Sequence, residues 1–176
     1  MRVIAGTLGG RVFDSPGTDR THPMSDRARG ALFNVLGDIE GLRVLDAFAG
    51  TGALSFEAVS RGAASALAIE NDRTAQKTIT RNIAALGVDG AVKLIATSAN
   101  AWLNTSELDT YDILLCDPPY QDLQTDLIAR LAGRVVSGGL LVLSLPANVE
   151  APLFEGFEQA RARSYGDMQL VFYRKA

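Results

Sequence analysis

One cysteine, one histidine and one tryptophan are spread over 176 residues. A single thiol excludes an internal disulfide, and Cys116 with His22 makes too few soft ligands for a His/Cys metal centre, so no metal is expected. Long apolar runs are missing as well. Nothing approaches the roughly 20 residues of a membrane helix, and the first stretch, MRVIAGTLGGRVF, lacks the apolar centre of a signal peptide. Those absences point away from a membrane and toward the cytoplasm. Positive charge is also in short supply: 17 Lys and Arg stand against 20 Asp and Glu, a net charge of −3. This is not the basic body of a bulk nucleic-acid binder. The deficit is uneven, however. Residues 1–30 carry five arginines against three aspartates, a local surplus of +2, so the remainder sums to −5.

What is present suits an ordinary globular α/β domain, with 47% apolar and 21% charged residues. From residue 42 onward, short apolar runs alternate with amphipathic ones. Strands are expected at 42–46, 66–70, 91–96, 111–116 and 140–145, the last after a Ser137-Gly138-Gly139 turn. Helices are expected at 53–61, 73–86, 99–104 and 123–132. That alternation predicts βαβ crossovers and a mostly parallel sheet covered on both faces. Two strand-like runs, 157–165 and 168–174, are separated only by Gly166-Asp167, which predicts an antiparallel hairpin at the end of the sheet. The first 40 residues stand apart. Residues 3–13, with Gly9-Gly10, read as a hairpin, and a polar loop follows. A helix capped by Ser25 then places Ala28, Leu32, Val35 and Leu36 on one face. No internal repeat or low-complexity stretch interrupts this pattern.

Between the first strand and its helix lies DAFAGTGALSFEA, residues 46–58. Gly50 and Gly52 allow a tight turn and close approach of a ligand near a helix N-terminus. The frame differs from a dinucleotide fingerprint, because Ser55 occupies the third glycine position and Asp46 precedes the turn. A carboxylate there repels a pyrophosphate but suits a cationic ligand such as S-adenosylmethionine, which carries an ammonium and a sulfonium. Glu70, at the end of the second strand, can accept both ribose hydroxyls. Ser98, after the third strand, can reach an adenine edge. The plainer readings are a structural turn, a helix-capping Asp46 and a Ser98 N-cap.

The fourth strand ends in CDPPY, residues 116–120. An exocyclic amine on a planar base is a poor nucleophile because its lone pair is delocalised into the ring. Asp117 and the Pro118 carbonyl can each accept one of its N–H groups, which localises the lone pair and stabilises the charge that develops during SN2 methyl transfer. Fixed φ angles at Pro118 and Pro119 aim the carbonyl, and Tyr120 offers a ring face for stacking. A rigid strand exit with Asp117 capping the next helix is the alternative. Cys116 reads as a buried strand residue.

Taken in order, MRVIAGTLGGR, THPMSDRARGALFNVL, VLDAFAGTGALSFEAVSRGA and CDPPY resemble a known family. It is the RsmD-type 16S ribosomal RNA guanine-N2 methyltransferases of bacteria, class I S-adenosylmethionine-dependent enzymes of the Asp-Pro-Pro-Tyr kind. The chain departs from the family's usual pattern at His22, Met24, Gly30 and Ser98. The resemblance implies a Rossmann-like, mostly parallel seven-stranded sheet with an antiparallel C-terminal hairpin. It also implies an RNA-side hairpin and helix extension over 1–40 and a cofactor-binding methyltransferase domain over 41–176. The implied catalytic residues are Asp117, Pro118, Pro119 and Tyr120. The implied S-adenosylmethionine contacts are Asp46, Phe48, Gly50, Gly52, Glu70, Asn71, Ser98, Ala99 and Asp117. Arg2, Arg11, Arg20, Arg27 and Arg29 become phosphate-contact candidates, with a solvated arginine face as the alternative for each. The implied partner is 16S ribosomal RNA within an assembling small subunit, and the implied protein is a monomer. Adenine N6 in DNA or RNA, or a protein glutamine, fits the same amine chemistry. A non-catalytic RNA-binding scaffold would need more basic charge.

Overall fold

A computed structural model describes residues 1–17, 24–106 and 108–176. The expected alternation is there. Strands β1 (Arg43–Asp46), β2 (Ser65–Glu70), β3 (Val92–Ala96), β4 (Tyr111–Cys116), β5 (Val135–Pro146), β6 (Phe157–Tyr165) and β7 (Met168–Lys175) form one sheet. Its order is β3-β2-β1-β4-β5-β7-β6. The first five strands run parallel, and β7 pairs antiparallel with both β5 and β6. The chain reverses its direction of travel across the sheet between β1 and β4. In a sheet of this kind that switch point leaves a crevice at the strands' carboxyl ends.

Helices cover both faces. On one lie α1 (Asp26–Leu36), α2 (Ala53–Ser60) and α3 (Arg73–Leu86), packed over Val44, Ala68, Ile113 and Val142. On the other lie α4 (Ala99–Thr105) and α5 (Thr125–Ala132), over Leu45, Leu114 and Leu143. Alternate residues of each central strand thus feed opposite cores, as the period of two requires. Helix α3 shows why its bounds are legible. Asp72 accepts hydrogen bonds from the amides of Thr74 and Ala75, and Gly87 ends the helix in the left-handed region at φ 68°. Its buried face carries Ala75, Ile79 and Leu86. The C-terminal hairpin turns at Gly166-Asp167 as expected. Strand β6 is exposed along nearly its whole length and is interrupted by an irregularity between Gln159 and Arg161.

Several expectations need correction. The Gly138-Gly139 pair does not precede β5 but lies inside it, where the register against β4 shifts between Tyr111 and Ile113. A side chain at Gly139 would come within 2.6 Å of Val135 and 2.8 Å of the Asp112 carbonyl, so the glycine admits the bulge instead of ending the strand. Helix α5 begins at Thr125, two residues late, because Gln124 takes a left-handed φ of 50°. The expected amino-terminal hairpin is present but short: Arg2 bridges Val12, and the amides of Val3, Gly10 and Phe13 donate to the carbonyls of Arg11, Val3 and Met1. In α1 the fully buried face is Ala28, Arg29, Leu32 and Phe33, while Val35 and Leu36 are half-buried.

A buried carboxylate fastens the amino-terminal segment. Glu57, 0% exposed on α2, accepts the amides of Ile4 at 2.8 Å and Ala5 at 3.1 Å and the Arg61 Nε–H at 2.7 Å. Arg29, also 0% exposed, lies 3.8 Å from it and donates to the carbonyls of Arg2 and Met24 and to Asp26. Removing one member of a buried ion pair leaves the other charge uncompensated, at about 3–5 kcal/mol. Glu57→Ala is expected to lose stability of that order in urea unfolding, with Glu57→Gln losing less because an amide oxygen still accepts from Ile4.

Candidate active site

Three carboxylates gather at the carboxyl ends of β1, β2 and β4. Asp46 ends β1, where it pairs with Ala68 of β2 and Leu115 of β4. It is 0% exposed, and its Oδ2 accepts from the Ser55 hydroxyl at 2.7 Å. Oδ1 has no hydrogen-bond partner. Burial, together with the nearby Asp117 and Glu70 charges, pushes the Asp46 carboxyl up to about 7 against the opposing Ser55 bond. Glu70 is held from two sides: Gly50 N–H donates to Oε2 and Asp72 N–H to Oε1, each at 2.7 Å. The glycine turn is therefore tied to the end of β2. Gly50 and Gly52 have φ of 55° and 79°, and a side chain at 52 would meet the Phe56 ring at 2.8 Å. Helix α2 starts from Gly52 without a side-chain cap, so Asp46 does not cap it.

Just beyond β4, Asp117 is partly exposed and Pro118 buried, while Pro119 and Tyr120 reach the surface. Burial raises the Asp117 carboxyl to about 6, and the Ser144 hydroxyl beside it opposes the rise. The next helix begins eight residues later with Gln124 as its cap, so Asp117 has no capping role. The Pro119 carbonyl accepts from Asp122 N–H at 3.0 Å; among the described residues the Pro118 carbonyl accepts nothing. Tyr120 Oη is 2.7 Å from Ser144 Oγ. Sequence reasoning missed Ser144, which is 1% exposed on β5 and bridges the two halves of this corner. Only its position near the carboxyl end of a central strand could have drawn attention to it.

The other expected positions are distributed around this crevice. Phe48 is half-buried and Asn71 exposed in the loops after β1 and β2. Ser98 caps α4, accepting from Ala101 N–H at 3.2 Å, and Ala99 is buried behind it. Cys116 is buried and its thiol is pushed well up by desolvation, as a strand residue would be. Among the arginines, Arg29 corrects the expectation: enclosed, with both terminal nitrogens donating to Met24, Arg2 and Asp26, it has no surface to offer a phosphate. Arg2 is exposed and paired with Asp26 at 2.9 Å. Arg11 donates to the carbonyls of Ala85 and Leu86 at the end of α3. Arg27 is exposed, and Arg20 lies outside the described residues.

A sheet in this order, with its crevice across the first and fourth strands, is the class I S-adenosylmethionine-dependent methyltransferase fold. The chain belongs to the family described as Conserved hypothetical protein 95, whose model matches residues 1–174, and thus to the RsmD-type proteins. "Ribosomal RNA small subunit methyltransferase D" of Escherichia coli K12 is 36% identical over 122 residues, covering 69% of this chain and 61% of that protein. "Putative rRNA methyltransferase YlbH" of Bacillus subtilis is 29% identical over 183 residues, 99% of each chain. Among solved structures, "Putative methyltransferase yhhF from Escherichia coli" superposes with a TM-score of 0.89 at 28% identity, covering 99% of this chain and 97% of that one. A methyltransferase-fold protein complexed with SAH shares the fold at 18% identity and a TM-score of 0.71, over 85% of this chain and 48% of its own.

Two measurements follow from the carboxylates. Asp46 and Asp117 hold protons more tightly folded than at their ordinary value of 3.8. Between pH ~4 and ~7 the folded state thus binds more protons than the unfolded one, and stability is full below ~4 and falls as pH rises. Urea midpoints are expected to decline from pH 5 to 7.5, and less steeply in Asp46→Asn. In Ser144→Ala the Asp117 titration, followed by side-chain carbonyl NMR, should move upward from about 6; an unmoved titration would show that the hydroxyl does not act on Asp117.

Proposed function

We propose that the protein transfers a methyl group from S-adenosylmethionine to the exocyclic N2 of a guanine in 16S ribosomal RNA of the small subunit. The observation that carries this reading is the orphaned, buried Oδ1 of Asp46 within a ring of three carboxylates. Such a cluster is unfavourable to an anion and favourable to a ligand with positive charge. The donor set fits S-adenosylmethionine. Asp46 and the Gly50–Gly52 turn would hold its charged amino-acid end, Glu70 its ribose, and Asn71, Ser98 and Ala99 its base, with Phe48 and Asp117 beside it. When bound, the cofactor supplies a methyl group on a positively charged sulfur.

The chain's own contribution lies at Asp117 to Tyr120. The Asp117 carboxylate and the unused Pro118 carbonyl accept the two N–H groups of the target amine, which turns its lone pair toward the cofactor side. The Pro118-Pro119 backbone is rigid, so this pair of acceptors is set before the amine arrives. Tyr120, tethered through Ser144, gives the base a ring to rest on. A base reaches that position only when taken out of its stack. The relatives' names, a ribosomal RNA small subunit methyltransferase in Escherichia coli and a putative rRNA methyltransferase in Bacillus subtilis, support RNA as the acceptor. Residues 1–40 are assigned to the RNA side, with Arg2, Arg11, Arg20 and Arg27 as backbone contacts, and residues 41–176 to the methyltransferase domain. The reading also includes cytoplasmic action on an assembling particle by a single copy of the chain. Among the described residues no helix is long and apolar enough to cross a membrane.

Asp117→Ala is expected to bind S-adenosylmethionine in calorimetry and yet lose transfer by roughly 10²–10³-fold, the scale for deleting one preset stabilising group. Near-normal turnover would remove Asp117 from the chemistry. Ribosomal RNA from cells lacking the gene should lack one N2-methylguanine and accept a methyl group from the purified protein. An unchanged guanine profile would shift the reading to an adenine or glutamine amine.

A further inference from the structure

Helix α3 presents cations that pair with no acid among the described residues. Arg73, Lys77 and Arg81 recur every four residues and are all exposed, forming a stripe about 12 Å long at 1.5 Å per residue. None of them forms an ion pair with a described residue. The guanidinium of Arg81 makes only a long bond, 3.4 Å, to the Thr78 hydroxyl. Such a run of like charge on one helix face is unfavourable by itself, and in a protein of net charge −3 it is a local concentration of positive potential.

The stripe borders a groove of about 690 Å³ that contains Lys77, Arg81 and Thr74, with Ser15 and Pro16 on its other wall and no Asp or Glu among the described residues of its lining. Its inner end is Ala96, the last residue of β3, which pairs with Glu70 of β2. The groove therefore runs from the carboxyl edge of the sheet, beside the carboxylate ring, outward between α3 and the amino-terminal segment. Lys77 and Arg81 supply its charge and Thr74 a hydroxyl, above a partly apolar floor that includes Leu94 and Ala96; fixed cations along such a groove suit a phosphodiester backbone.

We propose that the outward face of α3, with Lys77 and Arg81 in the groove and Arg73 one turn nearer the site, docks the phosphate backbone of the RNA strand flanking the target base. This rests on the RNA-methylating reading above and gives it a second contact surface, separate from the amino-terminal arginines. Phosphates held along this stripe orient the strand without reading its sequence, and the base chemistry stays at Asp117.

The test uses the full chain carrying Arg73→Gln, Lys77→Gln and Arg81→Gln together, with 16S ribosomal RNA extracted from cells lacking the gene as the probe. At about 0.1 M salt the triple variant is expected to bind this RNA roughly tenfold more weakly or worse. Its plot of log affinity against log salt should be shallower by about 2, the loss of three single-strand phosphate contacts. Calorimetric affinity for S-adenosylmethionine should stay unchanged, and the charge-conserving set Arg73→Lys, Lys77→Arg and Arg81→Lys should restore most RNA binding. A triple variant that matches the wild type in both RNA affinity and salt slope overturns the docking surface while leaving the RNA reading intact. A wild-type protein that neither binds nor methylates the RNA, extracted or within small-subunit particles from the same cells, overturns both.

Discussion

The parallel pairing of β1 with β4 sets Asp46 against Leu115 and leaves Asp117 just beyond the same edge. Two chain segments about seventy residues apart thus deliver carboxylates to one crevice, and β2 brings a third in Glu70. Burial raises the carboxyls of both Asp46 and Asp117, and the neighbouring Asp117 and Glu70 charges add to the rise at Asp46. The glycine turn shares this constraint, since Gly50 donates its amide to Glu70 and so fixes both the turn and the acid. A protein optimised only for stability would not collect acids around an unsatisfied oxygen. The electrostatic cost is local, and a cationic partner would offset it.

Much of this was legible in the chain because the signals are short-range. Asp72 and Gly87 bracket α3, Ser25 caps α1, and Gly166-Asp167 joins two strand-like runs, so those elements follow from neighbours in sequence. The Asp-Pro-Pro-Tyr corner and the glycine turn were legible for the same reason. Failures came where the deciding contact is remote. A glycine pair signals a turn and a bulge alike, and only pairing with β4 shows that Gly138-Gly139 lies within β5. Arginine belongs on surfaces by default, and the burial of Arg29 depends on a Glu57 carboxylate twenty-eight residues away. Ser144 has no local mark at all; its neighbours are Tyr120 and Asp117 in another strand's exit loop.

Charge is divided by location more than by amount. Acids face inward at the carboxyl edge of the sheet, while Arg73, Lys77 and Arg81 face outward along α3, whose first turn begins at that same edge. The amino-terminal segment is tied down by Glu57 through the Ile4 and Ala5 amides and by Arg11 on the last carbonyls of α3. It is therefore held against both α2 and α3, so a strand lying along one side of the groove would touch parts fixed to a single core.

Strand β6 has a different significance. As the outer strand of an open sheet it offers unpaired amides and carbonyls to any neighbouring chain, a general hazard for sheet proteins. Its exposed residues include Glu158, Arg161 and Arg163, and its pairing with β7 is irregular between Gln159 and Arg161. Charge and irregularity both make such an edge a poor template for another strand. In a crowded, concentrated solution, these few residues protect the sheet from aggregation by strand addition.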